Sequence, residues 1–143
     1  MPELRRLIPL LAVLAGAVLP VAPARADLMS TCAPEIQRFC TDVSRGRGRV
    51  SACLASEMNR LGAACRAEVQ GVMASPLTPG YVRRALDPSF KAPLPAACVA
   101  PAKALCPSIP ASDARVFACL YARSDRAGRD CSNAATATLK GAR

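Results

Sequence analysis

Cys32-Ala-Pro-Glu-Ile-Gln-Arg-Phe-Cys40, followed by Cys53 and Cys65, is matched 66 positions later by Cys98-Val-Ala-Pro-Ala-Lys-Ala-Leu-Cys106, followed by Cys119 and Cys131. In both quartets 7, 12 and 11 residues separate successive cysteines. The same offset carries Arg49-Val50 onto Arg115-Val116, Leu54 onto Leu120, Arg60 onto Arg126 and Gly62 onto Gly128. An internal repeat decides architecture before any local reading does. This one predicts two copies of a four-cysteine unit.

Within the unit the apolar positions recur with helical spacing. Cys32, Ile36, Phe39, Cys40 and Val43 lie at i, i+4, i+7, i+8 and i+11, and Cys98, Ala102, Leu105, Cys106 and Ile109 repeat those offsets. That is one face of an α-helix. Thr31 is the expected N-cap of the first helix, with Pro34 in its opening turn. Ser44-Arg-Gly-Arg-Gly48 interrupts the first copy, and Pro107 and Pro110 the second. A second helix is expected from Val50 or Val116, with Ser112 capping the later one. Gly62 and Gly128 are the expected helix stops. A third helix then carries Cys65, Val69, Val72 and Met73 inward in the first copy, and a more polar version follows Cys131. The predicted fold is all-α: a helix hairpin plus a third helix in each repeat.

Four cysteines permit three pairings. In an antiparallel hairpin the cysteines beside the turn face each other, which favours Cys40–Cys53 and Cys106–Cys119 with Cys32–Cys65 and Cys98–Cys131 closing outside them. Length poses a difficulty. Eight residues of helix rise about 12 Å and twelve rise about 18 Å, so the chain has to break between the last two cysteines, and the glycines mark the expected place.

The N-terminus reads as an export signal. Arg5 and Arg6 precede an apolar run from Leu7 to Val21, and Ala24-Arg25-Ala26 supplies the small residues of a cleavage site. The run is shorter than the ~20 residues that span a bilayer. The expected organisation is a signal peptide at 1–26, repeat one at 27–74, a Pro-rich linker at 75–97 with a short helix near 80–86, and repeat two at 98–143. All eight cysteines follow the expected cleavage point, consistent with disulfides formed in the periplasm or outside the cell. The chain has no tryptophan, two tyrosines and three phenylalanines. A small domain so poor in bulky side chains needs covalent staples.

Of 19 basic and 10 acidic residues, Arg5, Arg6, Arg25 and Glu3 precede the cleavage point, so the remainder carries a net charge of +7. Arg38, Arg45, Arg47, Arg49 and Arg60 form a candidate anion-binding patch at a helix N-terminus. The partner expected there is a protein, an acidic glycan or an anionic membrane surface. Nucleic acid fits poorly, because base-stacking aromatics are scarce.

Catalysis has little support. The absence of histidine excludes an ordinary Ser-His-Asp or Cys-His arrangement. No Cys-x-x-Cys suggests a redox thiol, and Glu35 and Glu57, unmatched by acids at Pro101 and Arg123, read as solvated helix-face residues. Zinc sites use close cysteine pairs, which are missing here. No catalytic residue, resident metal or cofactor is therefore expected, and the leading reading is a non-catalytic structural or binding module. The alternative is a cell-envelope protein that binds Cu(I) or Zn through thiolates.

Cys32, Arg38-Phe39-Cys40, Gly46-Arg47-Gly48-Arg49-Val50, Cys53-Leu54, Leu61 and Cys65 resemble the cysteine-rich repeat of the Golgi cysteine-rich glycoprotein family. The second copy keeps its four cysteines and Leu120, but lacks the Phe-Cys pair and the Gly-rich turn, and Ala127 stands where Leu61 does. The animal proteins of that family are large, many-repeat membrane glycoproteins implicated in binding growth factors and a selectin. This chain looks more like the short exported bacterial proteins that carry one or two such repeats. The resemblance implies a disulfide-framed module and no shared ligand.

Overall fold

Three longer helices and one single-turn helix frame each cysteine quartet, and in each repeat the middle one of the three lies at the centre of the molecule. In the first copy α1 (Leu28–Thr31) and α2 (Ala33–Phe39) lead through a turn to α3 (Arg49–Ser56), and a 3-10 turn at Met58–Arg60 leads to α4 (Ala63–Ala74). After α5 (Gly80–Ala85), the second copy follows as α6 (Ala96–Leu105), α7 (Arg115–Ala122), α8 (Ser124–Ala127) and α9 (Arg129–Gly141). This computed structural model describes residues 27–87 and 89–141, whose regular structure is all helical. The export signal read at 1–26 lies outside the described residues. Among them no helix is long and apolar enough to cross a membrane.

The sulfurs join Cys32 to Cys65 and Cys40 to Cys53, then Cys98 to Cys131 and Cys106 to Cys119. The outer bridges hold Cα atoms 4.9 and 4.7 Å apart, and the inner ones 6.1 and 6.2 Å. All four spacings fit unforced disulfides. In repeat one the bridges clamp both ends of α2: Cys40, at its C-cap, ties it to α3, and Cys32, at its N-cap, ties it to α4. A helix of seven residues is far below the length that persists alone in water. Its order comes from the clamp and from burial.

The chain breaks earlier than the glycines suggest. α3 ends at Ser56, and Glu57 N–H is shared between the carbonyls of Cys53 and Leu54, which tightens the chain into the 3-10 turn. Arg123 is the equivalent cap after α7, and α8 follows. Cys53 and Cys65 must reach two points only eight residues apart on the facing helix. A continuous helix would overshoot, so the reversal has to begin within a turn of Cys53. Gly62 is extended backbone, and Gly128 has a positive φ of 82°. Two expected caps are also displaced. Thr31 lies inside α1, and the carboxylate of Asp113, not the hydroxyl of Ser112, accepts the Arg115 N–H at 2.9 Å.

The most extensive helix contact is between α3 and α7. Ala52, Cys53, Leu54 and Ala55 on one side and Val116, Phe117, Ala118, Cys119 and Leu120 on the other are all buried. Polar contacts across this seam are reciprocal. Glu57 accepts from Ser108, which is the counterpart of Asp42, and Arg123, the counterpart of Glu57, binds Asp42. A relation in which i meets j′ and i′ meets j is the pattern of a two-fold isologous interface, here formed within one chain.

The segment read as linker carries α5. Val82 is buried with the first core and Ala85 with the second, while Tyr81 and Leu86 touch both. Arg84 donates to the Leu139 carbonyl near the end of α9. Phe90, expected in irregular linker, is buried edge-to-face on Phe117 with centroids 5.7 Å apart, and Tyr81 packs likewise on Tyr121 at 5.4 Å. Four of the five aromatics thus form two such pairs, a geometry that adds to their area burial.

The chain-entropy account assigns about 3 kcal/mol to a disulfide closing a 13-residue separation and about 4 kcal/mol to one closing 33. Cys32→Ala/Cys65→Ala is therefore expected to lose more stability than Cys40→Ala/Cys53→Ala in urea unfolding. The reverse order would show that native packing around the inner bridge dominates.

Candidate functional site

Two groups of charged residues stand out: the lock across the α3–α7 seam, and the arginines of the first copy. Arg123 is 8% exposed. Its Nε and Nη2 donate to the two carboxylate oxygens of Asp42 at 2.9 and 3.0 Å, and Nη2 also reaches the Phe39 carbonyl at 3.1 Å. Nη1 lies 3.4 Å from the Cys119 sulfur and 3.9 Å from that of Cys53, so the guanidinium sits between the inner disulfides of the two repeats. Arg126 adds a second bond to Asp42. A planar guanidinium matches a carboxylate bidentately, which fixes orientation as well as adding energy.

Desolvation is the largest single influence on Asp42 and pushes its pKa up; the hydrogen bond and charge of Arg123, with the charge of Arg126, outweigh it and hold the carboxyl below its usual 3.8. Glu57, read from sequence as a solvated acid, is 8% exposed. It accepts from Ser108 at 2.8 Å and Arg60 at 3.0 Å, because the end of α3 is covered by the second repeat. Glu35 accepts from the Gly62 N–H at 3.1 Å and so tethers the start of α4.

The five patch arginines fall into two sets. Arg38 and Arg60 both stack on Phe39, with guanidinium carbons 5.2 and 4.3 Å from the ring centroid, a cation–π arrangement. Arg45, Arg47 and Arg49 belong to the turn before α3. Arg49 is half-buried, donates to the Arg45 carbonyl at 3.1 Å and lies 3.8 Å from Asp125. Gly46, Arg47 and Gly48 have φ values of 97°, 51° and 70°. Glycine takes such angles at no steric cost, so the two glycines flanking Arg47 permit the tight turn that holds Arg45 and Arg47 exposed. Among the described residues those two side chains form no ion pair. The corresponding positions of the second copy are Ala111 and Asp113. Asp113 is bonded to Arg115 at 2.6 Å, and that hydrogen bond above all holds its carboxyl below 3.8 against desolvation.

All eight sulfurs are in disulfides, so thiolate ligation of Cu(I) or Zn is open only to the reduced chain. Among the described residues no group of three or more Cys, Asp or Glu side chains is placed to hold a metal ion. Sequence reasoning missed Arg123, Asp42 and the tyrosine pair. The 66-residue offset did expose the exchange of Glu57 for Arg123, but a charge difference between repeats does not say that both face one seam.

Residues 24–62 match the family model described as Cysteine rich repeat, that of the Golgi cysteine-rich glycoprotein type. The match takes in Cys32, Cys40 and Cys53 and stops short of Cys65 and the whole second quartet. No curated protein and no solved structure matches the chain.

Because the folded carboxyl of Asp42 lies below its unfolded value, its contribution to stability is present above pH 3.8 and is lost as pH falls below that through the folded value. Asp42→Asn should therefore cost stability at pH 7, and the gap to the unaltered chain should close under acid unfolding. Arg123→Met should cost about 2 kcal/mol at pH 7 by removing charge-assisted bonds to Asp42 and the Phe39 carbonyl.

Proposed function

We propose that this chain is a non-catalytic binding module of the periplasm or extracellular space, and that the basic turn of its first repeat holds an acidic polysaccharide. The four disulfides suit an oxidising, exported compartment, and a cysteine-rich repeat frame is suited to structural or binding work rather than chemistry. What carries the finer reading is the contrast between the copies. Both build the same clamp, yet Arg45 and Arg47 stand exposed on one while Ala111 and Asp113 occupy the matching places on the other. A shared frame with unlike surfaces is expected where the frame serves stability and one surface serves recognition.

Sulfate and carboxylate groups spaced along a polysaccharide suit guanidinium donors. Arg38, held on Phe39, adds a cation whose stem is already ordered, which lowers the entropy lost on binding. Nothing in the arrangement calls for a resident metal or cofactor.

Chromatography on immobilised heparin tests this. Retention at low salt, with elution as ionic strength rises, is expected for contacts between exposed charges. Arg38→Gln/Arg45→Gln should elute at clearly lower salt, whereas Arg129→Gln, exposed on α9, should change little. Passage without retention at low salt, or equal losses from both variants, would remove the reading.

A further inference from the structure

Two grooves lie beside the α3–α7 seam, and Met73 of α4 lines both. The first groove has a volume of about 790 Å³ and places Asp113, Ala114 and Arg115 of the second copy beside Ala55 and Met58 of the first. The second has a volume of about 620 Å³ and places Arg47 and Gly48 of the first copy beside Tyr121 of the second. Asp113 is the counterpart of Arg47, and Tyr121 that of Ala55, so matching positions bring an acid to the first groove and a base to the second. The first is mixed, with Asn59, Gln70, Asp87 and Lys91 in its wall beside Met58, Met73 and Leu86. The second is apolar.

Its wall is formed by Val72 and Met73 of α4, Leu77 in the following turn, Val82 of α5 and the edge-to-face tyrosine pair. Leu77 is 91% exposed, the highest of any large apolar side chain described. Scattered exposed leucines mean little, but one continuous with an apolar groove marks an interaction site. The volume lies within the range usual for small-molecule sites.

The polar groups of the wall narrow the choice of occupant. The Tyr121 hydroxyl donates to the Arg47 carbonyl at 2.6 Å, the Thr78 hydroxyl donates to the Val72 carbonyl, and the Ser75 hydroxyl accepts the Leu77 N–H at 3.3 Å. These groups are satisfied within the chain. Burial above all, and then Tyr121, raises the Tyr81 pKa to about 12, so its phenol stays neutral. One end is different. Arg47, which forms no ion pair among the described residues, and Ser51 both line it. A peptide would need several backbone partners along the wall. A molecule with one anionic head and a hydrocarbon body needs only what is present.

We propose that this groove binds a long-chain fatty acid, with its carboxylate on Arg47 and Ser51 and its chain along Val72, Leu77, Val82 and the tyrosine pair. Burying methylenes on that wall supplies the affinity, and the single cation sets the polarity of the occupant. The site goes beyond the polysaccharide reading, and Arg47 is the one cation it shares with the basic turn. The two fail separately, since the heparin variants replace Arg38 and Arg45.

Tyr81 and Tyr121 are the only tyrosines of the chain, which has no tryptophan. Intrinsic emission therefore comes from the tyrosine pair that lines this groove. Dodecanoate titrated below its micellar concentration should change tyrosine emission saturably, while dodecyltrimethylammonium, of the opposite charge, should not. Arg47→Asn, which removes the cation and suits the positive φ, should weaken binding about tenfold, equivalent to about 1.4 kcal/mol. Leu77→Glu should weaken it severalfold. Val99→Asp, an exposed apolar position on α6 away from the groove, should leave it unchanged. No saturable response to dodecanoate, an equal response to the cationic amphiphile, or an undiminished response from Arg47→Asn would overturn the proposal. Saturation by an acidic, apolar peptide but not by dodecanoate would assign the groove to a protein partner and would overturn it equally.

Discussion

None of the helices of the first repeat would hold its shape alone. α2 has seven residues and α3 eight, and isolated helices of that length melt in water. The nested disulfides change the reference state: they tie both ends of α2 to its two neighbours, so forming one helix brings the other two into register. Everything else follows from that clamp. Leu54 and Val69 share one buried core because Cys53 and Cys65 are tied to cysteines eight residues apart at the two ends of α2. The early break after Ser56 is enforced by the same distance. The α3–α7 seam then presents two pre-ordered faces to each other, and Arg123 can lie between two disulfides because both are already in place.

Much of this was legible in eight cysteine positions. Equal spacings of 7, 12 and 11 residues contain the duplication, the helical faces and the need for a reversal. The position of the reversal was not legible. Glycine marks a common helix stop, but here the constraint comes from disulfide reach, and it acts at Glu57 and Arg123 before the glycines are met. Capping failed for a related reason. Thr31 is a sound N-cap by type, yet the bridge at Cys32 fixes the start of α2, and the preceding residues form a helix of their own. Phe90 and Val82 were hidden in a proline-rich stretch whose composition suggests a linker. What orders that stretch is apolar surface offered by both repeats, which no local pattern records.

The interaction surfaces were legible only in part. The arginine-rich turn can be seen in the sequence, but its division into a Phe39 stack and a glycine-permitted loop cannot. Arg123 and Asp42 lie 81 residues apart, and the 66-residue offset pairs neither with the other. Only the two-fold relation brings them together. That relation also explains how one frame can display different chemistry on its two sides. Exchange of Arg47 for Asp113 and of Ala55 for Tyr121 leaves the disulfides in place while altering the grooves beside them.

The central claim is that each quartet closes on itself in nested order and that the two clamped units make one seam. Peptide mapping of the protein purified without reductant from an oxidising compartment, with a count of free thiols, tests it most directly. The account predicts Cys32–Cys65, Cys40–Cys53, Cys98–Cys131 and Cys106–Cys119, and no free thiol. Recovery of Cys32–Cys53, of a bridge between the quartets, or of free cysteines would contradict it.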